Sequence, residues 1–203
     1  MRCGSRVARA RVGALATVFS LTLAGGVIAA CGDVTGIEAR AETRLDTLTV
    51  FPLTGSGTLT PTALNTPFGT VTPINSTANF DVVFDLDSQR RVVIYPVKLI
   101  VLPLTGINEV GLLKVAGSFE SVQRAPTGDY ETEEPLTVSV GEVVVIEARR
   151  NRQNDLCSFS LSPNVYSKIV VDSVSAGTNA IWFRLVANPN CGFRSLAPGL
   201  PKN

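Results

Sequence analysis

In Phe80-Asp81-Val82-Val83-Phe84-Asp85-Leu86-Asp87, the residues Phe80, Val82, Phe84 and Leu86 alternate with Asp81, Val83, Asp85 and Asp87. Successive side chains of an extended chain point to opposite sides, so a period of two marks a strand with one buried face. The aromatic and aliphatic set is expected in a core and the aspartates toward water, with Asp87-Ser88-Gln89-Arg90 as the turn that ends the strand.

Beyond that turn, Val92 to Leu102 is almost continuously apolar, and Pro96 within it excludes a regular helix and an uninterrupted central ladder. An edge or bulged strand is expected there. Further strands are expected at Val110–Val115, Phe119–Arg124, Leu136–Val140, Val143–Arg149, Cys157–Leu161, Ser167–Ser175 and Ala180–Ala187, the last two joined by a hairpin turn at Ala176-Gly177-Thr178-Asn179. Upstream, Thr47–Leu53 is rich in β-formers, and Thr54–Thr77 is a Gly/Pro/Thr/Asn-rich connection with room for one or two short edge strands. Short strands separated by turn residues, with no helical period, imply an all-β fold of two antiparallel sheets packed face to face. Leu136-Thr-Val-Ser-Val-Gly-Glu-Val-Val-Val-Ile-Glu-Ala148 resembles the strand, Val-Gly-acid turn, strand unit of immunoglobulin-like sandwiches, which makes that architecture the nearest named one.

The chain opens with Arg2, Arg6, Arg9 and Arg11 and no acidic residue among them, followed by the apolar stretch Val12 to Ala30. A basic segment and then an apolar one read as an export signal. At about 19 residues the apolar stretch could also span a bilayer, so its ending decides between the two. That ending, Ile28-Ala29-Ala30-Cys31, resembles the lipobox of bacterial lipoproteins. The resemblance implies that the Cys31 thiol takes a diacylglyceryl group, that cleavage falls between Ala30 and Cys31, and that two or more acyl chains then hold the protein on a membrane. The organisation it implies is a signal peptide over 1–30, a lipidated tether over 31–43 and a β-sandwich domain over 44–203. Gly32, where an aspartate would retain a lipoprotein at the inner membrane, favours the outer membrane if the source has two.

Removing the signal takes four arginines with it and leaves 14 basic residues against 17 acidic ones, a net charge of −3. That balance argues against nucleic acid as a partner. With Cys3 and Cys31 assigned to the signal and the lipid, Cys157 and Cys191 remain in a chain bound for an oxidising compartment, and a disulfide between them is expected.

The chain has no histidine, which removes the Ser-His-Asp and Cys-His arrangements and the commonest zinc ligand. It also has no Gly-x-Ser-x-Gly, P-loop or Gly-x-Gly-x-x-Gly motif, so neither catalysis nor a cofactor is expected. Hydrolysis by two facing carboxylates is a third-ranked reading. Asp85 with Asp87, and Asp129 with Glu131, Glu133 and Glu134, offer oxygen for calcium, but a solvated strand face and a solvated loop account for them and no metal site is expected. Arg149, Arg150 and Arg152 read as a solvated hairpin loop, with an anion-binding patch as the alternative. Along the last strand Ile181, Phe183 and Leu185 fall on one face and look like core, which leaves Trp182 beside Arg184 as the best candidate for a binding face. The leading expectation is a non-enzymatic envelope lipoprotein that binds an envelope protein or polysaccharide or helps build an assembly. The alternative is a small-ligand or glycan-binding module of an uptake system, with a pocket lined by Trp182, Tyr95, Tyr130 or Tyr166.

Overall fold

The structure, a computed structural model, describes residues 38–74, 79–100, 109–150, 156–158, 160 and 162–201. The signal segment, Cys31, Arg152 and Leu161 lie outside the described residues. Among the described residues the strands are β1 (Arg44–Val50), β2 (Ala63–Asn65), β3 (Thr70–Thr72), β4 (Val82–Leu86), β5 (Val92–Pro96), β6 (Glu109–Val115), β7 (Leu136–Val138), β8 (Val143–Arg149), β9 (Asn164–Val174) and β10 (Ile181–Asn188). They form two five-stranded sheets, ordered β1-β10-β9-β8-β6 and β3-β2-β4-β5-β7, with every pairing antiparallel. The protein is thus an all-β, two-sheet sandwich.

The alternating stretch lies in the middle of the second sheet, and Phe80, Val82 and Phe84 are buried in the common core, with Leu86 packed at its margin. Facing them from β10 are Ile181, Phe183 and Leu185, all fully buried. The rings of Phe84 and Phe183 stack across the interface with centroids 5.1 Å apart. Such a pair contributes about 0.5–1.5 kcal/mol beyond the burial of its area.

Pro96 does not mark an edge, because β5 runs between β4 and β7. Val97 N–H donates to Asp81 O at 2.8 Å, so the Pro96 nitrogen faces the opposite side, where β7 pairs only with Val92, Val93 and Ile94. The proline has no partner there to forfeit.

Two expected strands are not strands at their described residues. Phe119–Arg124 turns away from the sheets and crosses over the outer face of the first one, pairing only with the C-terminal tail through the bridge Arg124↔Ser195. Phe119, Val122, Ala125 and Leu196 cover the outward residues Val143, Val145, Tyr166, Val170 and Val186, so this face carries an apolar layer of its own. The cover passes so close at Tyr130 that a Cβ on Gly111 would lie 2.6 Å from the tyrosine Cβ, which only glycine avoids. Cys157 and Ser158 form a turn. There Cys157 is bonded to Cys191, with S–S 2.04 Å and Cα–Cα 5.7 Å.

The domain also holds the chain earlier than the expected tether boundary at residue 43. Asn190 Oδ1 accepts from Arg40 N–H at 2.8 Å and Ala41 N–H at 3.0 Å, and its Nδ2 donates to Ala41 O at 2.7 Å. Thr43 then pairs with Gly199. Residues 40–43 are therefore part of the domain, fastened beside the C-terminal tail.

Candidate functional site

Trp182 and Arg184 share the outer face of β10, as the alternation requires, while Phe183 between them points into the core. A β-bulge lies at this point. The register passes from Trp182↔Ser173 to Phe183↔Val171, so Asp172 and Ser173 together oppose Trp182. The Asp172 carboxylate accepts from Arg184 Nε at 3.1 and 3.3 Å. Glu120, brought by the covering segment, accepts from Arg184 NH1 at 2.8 Å. The Glu120 carboxyl is held below the ordinary range, by its own backbone N–H and then by Arg184.

Beneath the same cover lies Lys168, the one charged residue over 165–171 of β9. Its side chain is buried, donating to Phe119 O and to Val122 O, the latter at 2.7 Å. Its ammonium stands 4.5 Å from the centroid of the Phe119 ring, and the Arg184 guanidinium carbon 4.8 Å from the same ring. Burial pushes the Lys168 ammonium below its usual range, Glu120 opposes that shift and Arg184 adds to it. Lys168, Arg184, Glu120 and Asp172 sum to no net charge. The fork of Arg184 is already engaged by two carboxylates, so this group does not offer a vacant anion site.

A cleft of about 190 Å³ opens here, walled by Leu45, Phe119, Lys168, Arg184, Val186 and Pro198. It is smaller than the roughly 300–1,000 Å³ clefts that enclose a metabolite. Trp182 is 38% exposed and is not among its walls. The tyrosines do not gather around the tryptophan either. Tyr95 lies on β5 of the other sheet, whereas Tyr130 and Tyr166 pack together with Leu196 under the cover.

The acidic and basic runs resolve differently from the sequence reading. Asp81 and Arg150, expected toward water, are buried against each other, with Arg150 NH2 2.7 Å from Asp81 Oδ2. Asp81 immediately precedes β4 and Arg150 immediately follows β8, so the pair joins one sheet to the other. The same carboxylate oxygen accepts from the backbone N–H and the hydroxyl of Thr66, each at 2.8 Å. Asp85 is buried as well and accepts from Thr54 N–H and Oγ1 at 3.1 and 2.6 Å. A loop thus covers the face that the alternation assigned to solvent. Asp87 accepts from the N–H groups of Gln89 and Arg91 and from Arg91 Nε, and the Arg91 backbone holds it below the ordinary carboxylate range. In the acidic loop Glu131 accepts from the N–H groups of Glu133 and Glu134, and Glu133 pairs with Lys98. Arg149 pairs with Glu109 at 3.6 Å on the surface. Among the described residues no three His, Cys, Asp or Glu side chains are grouped as metal ligands would be.

Sequence reasoning missed Lys168, Phe119 and Glu120 as neighbours of Arg184. The one available signal was a lysine between Tyr166 and Val170 on the outward side of a strand, since a stem in that company needs something to cover it. No protein family, curated protein or solved structure matches the chain. Among the described residues no helix is long and apolar enough to cross a membrane, a statement that does not bear on strands.

Proposed function

We propose that the chain is an envelope lipoprotein, anchored through a lipid on Cys31, whose β-sandwich acts by binding an envelope protein or polysaccharide or by building an assembly. The observation that carries this reading is the run Ile28-Ala29-Ala30-Cys31 closing a basic-then-apolar segment. The disulfide between Cys157 and Cys191 supports the same address, because such a bond persists in oxidising compartments. Support for binding in place of catalysis comes from the carboxylates: Asp81, Asp85, Asp87, Glu120 and Glu131 accept hydrogen bonds from backbone, hydroxyl or guanidinium groups within the domain. A general acid at neutral pH would need one carboxyl raised by burial or a like charge. Asp87 and Glu120 are instead lowered. Metabolic labelling with a fatty-acid analogue tests the anchor: the parent takes label and Cys31→Ser does not. Equal label on both removes the proposal.

A second reading, a glycan-binding module, has one observation in its favour, the exposed indole of Trp182 on an outer sheet face. Since Trp182 is the only tryptophan, its fluorescence reports directly. Titration with envelope oligosaccharides that leaves the emission unchanged would exclude a site at this face.

A further inference from the structure

We infer that the end of the sandwich where the chain joins it carries a second, apolar contact with the bilayer, separate from the lipid and resting on the anchored reading above. At this end lies a cleft of about 390 Å³ lined by Ala41, Pro67, Phe68, Leu156, Ala187 and Pro189. Phe68, in the turn between β2 and β3, is 53% exposed, and Leu156 is also exposed. Leu200, which follows the Thr43–Gly199 pair, and Leu45, at the start of β1, are exposed beside the same junction.

The path of the chain argues for a bilayer as what covers these residues. Asn190 fastens Arg40 and Ala41, and Ala41 is itself a wall of the cleft. Only residues 32–39 separate Cys31 from Arg40, the first fastened residue. Fully extended, eight residues reach no more than about 29 Å. A domain of this size has a radius of gyration near 15 Å, so the anchored end stays within about two such radii, one domain's breadth, of the lipid. An aromatic residue on a turn, with Leu156 in the same cleft and two more exposed leucines beside the junction, is the composition that settles at the boundary of headgroups and acyl chains. The charged side chains at the rim, Glu42 and Arg44, are of opposite sign, so the contact rests on apolar burial and not on anionic headgroups.

Trp182 supplies an internal reference, because it lies at the other end of β10, some 20 Å from Asn188 at the rise of a strand. The full chain, processed and lipidated in a bacterial host, is reconstituted into phosphatidylcholine vesicles whose acyl chains carry bromine, a short-range quencher of indole. In a Trp182→Phe background, Phe68→Trp should lose about half its emission to the brominated lipid and shift to shorter wavelength, whereas Trp182 of the parent should be unaffected. Leu200→Trp, on an exposed residue, repeats the measurement if Phe68→Trp fails to accumulate. Acyl label on Cys31 with emission from position 68 or 200 no more quenched than that of Trp182 overturns this inference and leaves the anchor standing. Emission shielded from aqueous acrylamide yet untouched by bromine overturns it too, since protein and not lipid then covers the cleft. Absence of acyl label overturns both readings.

Discussion

Arg150 and Lys168 are both buried cations, and their surroundings differ in kind. Arg150 meets a carboxylate, Asp81, at the point where the two sheets join. Lys168 meets two backbone carbonyls and the face of Phe119 under the cover of the first sheet. An arginine keeps its proton in any protein environment, so burying one calls for a formal counter-ion. A lysine can lower its pKa, and burial here pushes Lys168 in that direction, so carbonyl oxygens and a ring suffice. The buried cation at the sheet-to-sheet joint is thus held by an ion pair, while the one between sheet and cover is held by backbone carbonyls and a ring.

The contrast breaks most readily at Asp81. Asp81→Asn should cost about 3–5 kcal/mol in urea unfolding, because it takes the carboxylate from a buried guanidinium. The double variant Asp81→Leu, Arg150→Met should recover much of that loss. If it recovers none, the joint depends on something other than charge pairing. The disulfide tests the same region, since Cys157 lies in the connection that follows Arg150 and the bond closes a loop with a sequence separation of 34. Its reduction should lower stability by roughly 3–4 kcal/mol in the chain-entropy account, measured as the difference between urea midpoints with and without reductant.

Lys168→Met should cost less, about 1–3 kcal/mol, by leaving the Phe119 and Val122 carbonyls without their donor. Its pH dependence distinguishes the two cations. The folded pKa of Lys168 lies below the ordinary 10.5, so between the two values the unfolded chain holds more protons and stability rises with pH. The parent's advantage over Lys168→Met should therefore grow as pH climbs through that window. Half-buried Tyr130 works the other way, its pKa raised chiefly by desolvation, but it is common to both proteins and cancels in the difference. An advantage that is flat or shrinking would mean the ammonium is not penalised by burial. The smallest effect is expected from Arg184→Gln, about 0.2–1 kcal/mol, because its ion pairs with Glu120 and Asp172 are partly exposed. A loss as large as that from Asp81→Asn would erase the distinction between buried and open pairs.

The core was legible because β4 and β10 alternate, and Phe80, Val82, Phe84, Ile181, Phe183 and Leu185 are all buried as their period requires. A period says which residues share a face, however, and is silent on whether that face is covered. Asp81, Asp85 and Lys168 were misplaced or overlooked for that one reason, since Thr54, Thr66, Arg150 and the Phe119 segment come from distant parts of the chain. Phe119–Arg124 has the composition of a strand, but its partner is the tail near Ser195, and a pairing at such separation leaves no local trace. Of the candidate site, the shared face of Trp182 and Arg184 was readable from alternation, while the bulge that brings Asp172 to Arg184 was not.

The bridge between Thr43 and Gly199 brings the first and last fastened segments of the domain side by side, with the turn at 176–179 at the far end of β9 and β10. A circular permutant that links these neighbouring segments and opens the chain at Gly177 would keep every strand pairing yet, under the anchored reading proposed above, hang from its lipid by the opposite pole. Whether such an inverted domain still serves the cell would separate a module that only needs to be near the membrane from one that must present a particular end to it.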